Sequence, residues 1–446
     1  MAHGLSTSTT ASDADLDLRP TERLPIRQIV QIAVYWLGIN AIWGGMGTVV
    51  QERVPELVPA GTAGTFLALQ AWITIVIAII TQPTIGVISD YTISRWGRRK
   101  PYIAIGATLD VVFVIGVATS QTYVSLVAFL FLLQFSSNFA QGPFQGYVPD
   151  LVPSNQVGLA SALVGMMQTL GYIAGGLIIA VGYGFGEDFT IPTIALGIIE
   201  FATALGTLLW VREGKAARDR GDRSWLEIAR SAWGLDILRE RSFVFLVVSR
   251  LMFLAGINVL LGFFILFMER AFGFGAAEKG FWVPITQVSV AVLTALATIP
   301  SAILSNRIGR KPVIYVACAI GGLGMAIAAV APGPELFVFG ALLMGAASGT
   351  FLAVDWALMT DIIPKAASGR FMGISNIAVA LGGPLASTIA GPLIDIAGGG
   401  KAETGDGPRA AFLAGIGLFF LAAAFLRPVD ARPREIRLAA AAAAQV

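Results

Sequence analysis

The sequence predicts an all-α integral membrane protein, twelve transmembrane helices arranged as two six-helix halves, and three observations carry that prediction. Of the 446 residues, 56% are hydrophobic and only 13% charged, with a mean hydropathy of +0.75, a balance outside the range of soluble domains. Twelve apolar runs are each long enough to cross a bilayer. Short polar motifs recur at a separation close to half the chain.

A helix needs about 20 apolar residues to cross the hydrocarbon core, because in lipid every backbone polar group must find its partner inside the segment. The stretch 1–27 is polar and rich in Ser, Thr and Asp, with no apolar core before a small-residue cleavage site. It reads as a disordered cytosolic tail and not as a signal peptide. A first bundle, 28–211, follows as runs at 28–50, 63–89, 101–120, 123–148, 156–182 and 191–211. The longest hydrophilic connection, 212–241, reads as a cytosolic linker. A second bundle, 242–427, has runs at 242–268, 280–304, 312–331, 335–362, 369–396 and 410–427, and 428–446 forms a second cytosolic tail.

An even number of spans puts both ends on one side. Lysines and arginines number 24 on that side and 5 on the other, and Arg250 lies inside a span. Cations mark the cytosolic side, so both termini are expected in the cytosol, with the chain multi-pass in the inner or plasma membrane. The formal net charge of +2 gives no case for nucleic acid. Cys318 is the only cysteine and His3 the only histidine, so one chain can build neither a disulfide nor a histidine or thiolate metal site; no metal or cofactor is expected. A membrane enzyme such as an acyltransferase would lack its usual histidine base, and no nucleophile constellation is present. A scaffold or sensor would have no need of duplicated halves.

The duplication rests on three motifs. Arg95-x-Gly97-Arg98 recurs as Arg307-x-Gly309-Arg310, offset by 212. Lys100-Pro101 recurs as Lys311-Pro312, and Asp150-x-x-Pro153 as Asp361-x-x-Pro364, both offset by 211. A shared offset points to a duplicated six-helix unit, the internal symmetry of secondary transporters. Both basic copies fall between the second and third span of their half. One role is to hold that loop inside. Asp90, at the end of the second span, adds another: bonded to Arg95, Arg98 and Arg99, or to the neighbouring half, it would form a cytosolic gate that stabilises one rocking state. The second copy has Ala302 at that position and lacks the latch.

The stretch QPTIGVISDYTISRWGRRKPYI (82–103), with QFSSNFAQGPFQ (134–145) and LGYIAGG (170–176), resembles the sucrose-proton symporters of plants and their animal and bacterial relatives. These belong to the wider glycoside-pentoside-hexuronide-type branch of the major facilitator superfamily. The resemblance covers the N-terminal half well and the C-terminal half loosely. It implies the major facilitator fold and sugar-cation symport. It also exposes a departure: the span 4 positions that are typically aspartate, taken to bind the proton, and arginine in the plant proteins are here Gln134 and Gln145. Glutamine does not titrate, so that coupling site does not carry over.

The residues themselves outline a cavity. Gln134, Asn138, Gln141 and Gln145 are spaced 4, 3 and 4 and share one helical face over about 16 Å. Such a row cannot face lipid cheaply; it bonds neighbouring helices or lines a site for hydroxyls, which amides can both donate to and accept from. Trp36, Asn40 and Trp43 repeat the 4, 3 spacing on span 1, where aromatics either stack on a pyranose face or anchor at the interface. Gln168, Tyr172, Asn258, Gln287 and Asn376 extend the polar set. Among intramembrane acids, Asp110 and Glu200 sit on spans expected to support the bundle and read as neutral acids or local hydrogen-bond donors. Asp355 sits on the tenth span at the repeat partner of Phe144, at the depth of Arg250. An Arg250–Asp355 pair is the candidate proton-coupling site, against a permanent structural ion pair.

These readings converge on a secondary active transporter, not an enzyme, that takes up a disaccharide or related glycoside with a proton, sodium being the alternative ion, and works as a monomer in the bilayer. An uncoupled sugar facilitator and an exporter of amphipathic drugs or lipids are the alternatives.

Overall fold

The computed structural model describes residues 22–153, 156–213, 222, 224–231, 240–362, 368–398 and 405–430. The two tails lie largely outside this set. The first span is α1 (Ile26–Ala33) and α2 (Tyr35–Leu57), interrupted at Val34. There follow α3 (Ala63–Asp90), α4 (Lys100–Ala118), α5 (Tyr123–Phe144) with the short α6 (Tyr147–Leu151), α7 (Val157–Gly184) and α8 (Thr190–Trp210). The second half is α10 (Arg241–Phe272), α11 (Ala276–Ile308), α12 (Arg310–Val330), α13 (Pro334–Ile362), α14 (Ser368–Ala397) and α15 (Asp406–Leu426). Among the described residues, twelve spans have the length and apolar character to cross a membrane, and they coincide with the twelve runs of the sequence. The connection between the halves is not wholly irregular: α9 (Trp225–Ser231) forms there and packs against α3. We call the face carrying Ile26 and Leu426 the terminal side and the opposite face the distal side.

The duplication is visible in the packing. In the first half α2 packs on α7 and α8, α3 on α5, and α4 on α5 and α8. In the second, α10 packs on α14 and α15, α11 on α13, and α12 on α13 and α15, which is the same set of pairs by rank in each half. The LGYIAGG block earns its place here: a Cβ on Gly171 or Gly175 would collide with the backbone of α2 at Leu37 or Ala41, so the two glycines one turn apart let the helices touch backbone to backbone. The basic loops share a conformation as well. Gly97 and Gly309 have φ of +115° and +94°, a region costly for any other residue, and each turns the chain into the third helix of its half.

The halves meet through α3 on α14, α7 on α11 and α2 on α10. Below that contact lies the site.

Candidate functional site

A cavity of about 340 Å³ lies between the halves. Trp43, Met46, Val50 and Gln51 of α2, Gln70 and Thr74 of α3, Gln134 of α5, Tyr172 of α7, Asn258 and Leu261 of α10 and Ser387 of α14 form much of its wall. Six helices thus contribute hydrogen-bonding groups, and two aromatic rings add flat apolar surface.

Four of the residues anticipated from the sequence, Trp43, Gln134, Tyr172 and Asn258, are in this wall. Others are placed beside it. Asn138 is buried and donates from Nδ2 to the Gln134 Oε1 at 3.0 Å and to the Gln134 carbonyl at 2.8 Å, so it orients the amide that reaches the cavity. Asn40 donates to the Trp36 carbonyl of its own helix at 2.9 Å. Trp36 packs on Phe144, ring centroids 5.4 Å apart, inside the core of the first half; the 4, 3 spacing with Trp43 is real, but the α2 face at Trp36 is covered by α5. Gln141 and Gln168 are half-buried, and Gln145, which caps the end of α5, is exposed. Gln287 donates to Thr48 Oγ1 at 3.0 Å across the two halves. The side chain of Asn376 lies outside the described residues.

Gln51, Gln70, Thr74 and Ser387 went unnoticed in the sequence. Gln70 and Thr74 are one turn apart and bonded at 3.2 Å, a spacing that could have marked them. Gln51 spans the halves, donating to the Leu261 carbonyl at 3.0 Å and accepting from the Ile265 amide at 3.3 Å.

Arg250 and Asp355 do meet. Arg250 Nη1 lies 3.2 Å from Asp355 Oδ2 and donates to Ser375 Oγ at 2.5 Å, with both charged side chains at most 2% exposed. The ionic contact is off hydrogen-bond geometry, for neither Asp355 oxygen accepts a well-formed bond. Asp355 is thus held by charge and not by a closed hydrogen-bond set.

On the terminal side the basic loop forms a network within the first half. Arg99, 6% exposed, pairs with Asp90 at 2.8 Å and Asp150 at 2.7 Å and donates to the Pro143 carbonyl at 2.6 Å. Arg98 also pairs with Asp150. Glu213 accepts from the Arg99 amide at 2.9 Å and from the Tyr147 hydroxyl. Gly146 leaves the slot that the Arg99 guanidinium fills; a Cβ there would overlap it. Arg95, counted with this network from the sequence, stands apart: it is exposed and lies over the Trp96 ring at 5.5 Å. In the second copy Arg310 donates to Ser305 and Asn306 at 3.0 and 3.1 Å. The paired lysines share one task. Lys100 Nζ donates to the Leu208 carbonyl at 2.6 Å, and Lys311 Nζ to those of Arg427 and Val429 at 3.0 and 2.8 Å. Each caps the carbonyl end of the sixth helix of its half, where a cation is favoured.

On the distal side the halves are tied together. Lys279 of α11 is 2.9 Å from Glu52 and 2.6 Å from Glu187, both of the first half. Asp395 of α14 accepts from the Gly64 and Thr65 amides at 3.0 and 2.7 Å and from the Thr65 hydroxyl at 2.6 Å. Trp72 donates to Thr388 at 2.5 Å. Gln287–Thr48 is a further tie between the halves, and Gln51–Leu261 joins them within the cavity wall itself.

This architecture agrees with comparison to known proteins. The sequence profile of the Major Facilitator Superfamily matches residues 29–294 and 246–445, and the chain belongs to that superfamily. A stretch of 119 residues is 32% identical to the sucrose transport protein SUT1 of Oryza sativa subsp. japonica, covering 22% of each chain. Another of 181 residues is 27% identical to proton-associated sugar transporter A of Rattus norvegicus, 36% of this chain and 24% of that one. The membrane-associated transporter protein of Homo sapiens is 27% identical over 146 residues, 28% of this chain and 27% of that one. The chain therefore matches about a quarter of the length of these relatives. Among solved structures, a bacterial homolog of the human lysosomal transporter Spinster superposes with a TM-score of 0.73 at 15% identity, over 92% of this chain and 97% of that one. The nucleoside transporter NupG superposes with 0.66 at 16%, over 90% and 98%. The protein is a multi-pass membrane protein of this fold.

Proposed function

We propose that the protein takes up a disaccharide or related glycoside by alternating access, with a proton as the coupling ion. The observation that carries this reading is the cavity between the halves, where Gln51, Gln70, Gln134 and Asn258 present amides from four helices beside Trp43 and Tyr172. Amides donate and accept at once, as sugar hydroxyls require, and the tryptophan ring suits the apolar face of a pyranose. The volume, about 340 Å³, falls at the lower end of the ~300–1,000 Å³ of small-molecule sites. The similarity to stretches of sucrose and proton-associated sugar transporters points the same way.

With the terminal side cytosolic, the ties on the distal side support reading this as the inward-facing state. Rocking would break Lys279–Glu52 and Asp395–Thr65 and bring the terminal ends of the halves together. Arg250–Asp355 is the coupling element of this scheme: protonation of Asp355 removes the charge opposite Arg250, and among the described residues no second bond fixes the acid in place.

The test is counterflow of labelled sucrose and related disaccharides in proteoliposomes, with and without a proton gradient. Counterflow and gradient-driven accumulation support the full reading; counterflow alone makes the chain a facilitator. The apolar part of the wall, Met46, Val50 and Leu261, favours a second reading, export of amphipathic solutes. Transport of a lipophilic cation in the absence of any sugar flux would establish it.

A further inference from the structure

Away from the cavity, a second pair of ionisable groups is buried at mid-membrane in the first half. Asp110 of α4 and Glu200 of α8 are each 0% exposed. Glu200 Oε1 accepts from the Tyr35 hydroxyl of α2 at 2.6 Å, and Asp110 Oδ1 accepts from Ser136 of α5. The remaining oxygens, Asp110 Oδ2 and Glu200 Oε2, have no donor. Both lie at one level of the α4–α8 contact, where Gly197, one turn before Glu200, packs on Val111 and Val114, the first of them the neighbour of Asp110. Two carboxylates cannot bond to each other, since neither owns a hydrogen; a carboxylic acid and a carboxylate can. Buried oxygens without a donor call for an explanation, and a proton shared between the acids supplies it.

Among the described residues the surroundings offer nothing else to balance the charge. From α2 the titratable group that faces the pair is Tyr35, from α5 the facing polar group is Ser136, and α4 and α8 contribute the acids themselves. Among the described residues neither acid forms an ion pair, in contrast to Asp355 with Arg250. Gly38 keeps the pair in place, because a Cβ there would press on the Glu200 backbone and the Thr203 side chain. With one shared proton the pair holds one net negative charge in a medium that penalises it heavily. A second proton neutralises it, adding an O–H bond to the remaining carboxylate and breaking no covalent bond.

We infer that Asp110 and Glu200 form a proton-binding site of the N-terminal half, separate from Arg250–Asp355, that retains one proton and exchanges a second. Its link to the cavity is α2: the helix that carries Tyr35 also carries Trp43, Met46 and Gln51. Tyr35 further touches Phe144 at 4.8 Å, and Phe144 touches Tyr147 at 5.5 Å, the residue bonded to Glu213 of the terminal-side network. Loading of the acid pair is thereby in contact with both the cavity helix and the gate.

The experiment needs no sugar, so its outcome is independent of the proposed transport reaction. The full chain in lipid nanodiscs is titrated between pH 5 and pH 9 while the protonated-carboxyl C=O band is followed in infrared difference spectra. The Asp355→Asn background removes the contribution of that acid. A titrating buried-carboxyl band is expected in Asp355→Asn and is expected to disappear in Asp355→Asn/Glu200→Gln. Absence of the band in the background, or its persistence unchanged in the Glu200→Gln and Asp110→Asn derivatives, overturns the inference. If the glutamine variant elutes as aggregate, Tyr35→Phe decides: it keeps the ring against Phe144 but removes the hydroxyl bond to Glu200, so the band must shift in frequency and midpoint. A band untouched by Tyr35→Phe belongs to some other carboxyl and also overturns the proposal.

Discussion

The two halves share their helix packing but not their buried chemistry. Where the second half pairs Arg250 with Asp355, the positions 211 residues earlier are Ile39 and Phe144, both in the apolar and aromatic core of the first half. Where the first half buries Asp110, the second has Gly321, against which the Phe419 ring packs. At these positions charge has been inserted at non-equivalent places: between inner helices α10 and α13 in one half, between supporting helices α4 and α8 in the other. The duplicated unit specifies a scaffold, and the ionisable groups were fitted to it separately. That separation can be broken experimentally, because each half provides a template for what the other would be without its charges.

The largest effect is expected from grafting the first half's contact onto the second. Arg250→Ile alone strands a buried carboxylate, and removal of one partner of such a pair costs about 3–5 kcal/mol. Arg250→Ile/Asp355→Phe restores the residues of the first half and should recover most of that loss, since a well-packed apolar replacement of a buried ion pair is often neutral. Thermal unfolding followed by fluorescence size-exclusion reads both. The double variant should be folded and unable to accumulate sugar. Asp355→Asn alone should keep exchange between equally loaded compartments, because exchange needs only the loaded carrier to rock. If Asp355→Asn accumulates sugar, coupling does not run through this pair.

Next come the cavity amides. Gln134 is both in the wall and held by Asn138, so Gln134→Leu and Asn138→Leu should each weaken sugar binding by roughly 10–100-fold, the cost of leaving sugar hydroxyls unpaired being about 1–3 kcal/mol. Gln141→Leu should fall at the weaker end of that range, because its half-buried side chain lies beyond the wall. Equal binding by all three variants and the parent in isothermal titration would make the stripe a packing feature.

The gate networks should respond more weakly and in opposite directions. Gly146→Ala pushes Arg99 from its slot and loosens the Asp90–Arg99–Asp150 network, whereas Arg310→Ala in the second copy removes the bonds to Ser305 and Asn306 and leaves that network whole. Lys279→Met removes one of the distal ties. Thiol labelling of single cysteines at the two mouths, in a Cys318-free background, should show the distal mouth opening in Lys279→Met and the populations altered in Gly146→Ala. Arg310→Ala should label like the parent. Identical labelling in all three would confine these charges to orientation and folding.

What was legible in the sequence follows from the range of the interaction involved. Span lengths, the 211-residue repeat and the small residues of LGYIAGG are local or periodic, and hydrocarbon enforces them strictly; the fold was therefore readable. The Arg250–Asp355 contact was readable because charges in lipid must pair and matched depth limits the choice. Trp36 could not be placed, because whether a helix face meets a cavity or Phe144 depends on which neighbour covers it. Lys279 looked like one of a few distal cations, and only the fold shows that Glu52, 227 residues away, comes to meet it. Glu187 gave no signal either. Its φ of +67° is rare for a residue with a side chain, and it brings the carboxylate onto Lys279.

The smallest effect tests the comparison most finely. Lys100 and Lys311 occupy equivalent positions and cap equivalent helix ends, the one through Leu208 and the other through Arg427 and Val429. If the repeat governs these caps, Lys100→Ala and Lys311→Ala should cost similar amounts, about 0.5–1.5 kcal/mol each for a lost hydrogen bond at a helix C-terminus. Lys311→Ala should be the costlier of the two, since it frees two carbonyls and not one. Both variants keep most of the basic residues of their loops, so orientation in the membrane should hold, and the comparison reduces to unfolding midpoints. A large cost for Lys100→Ala beside a negligible one for Lys311→Ala would assign the lysine to the Arg99 network of the first half, and the shared Lys-Pro motif would then be a relic of duplication with one working copy.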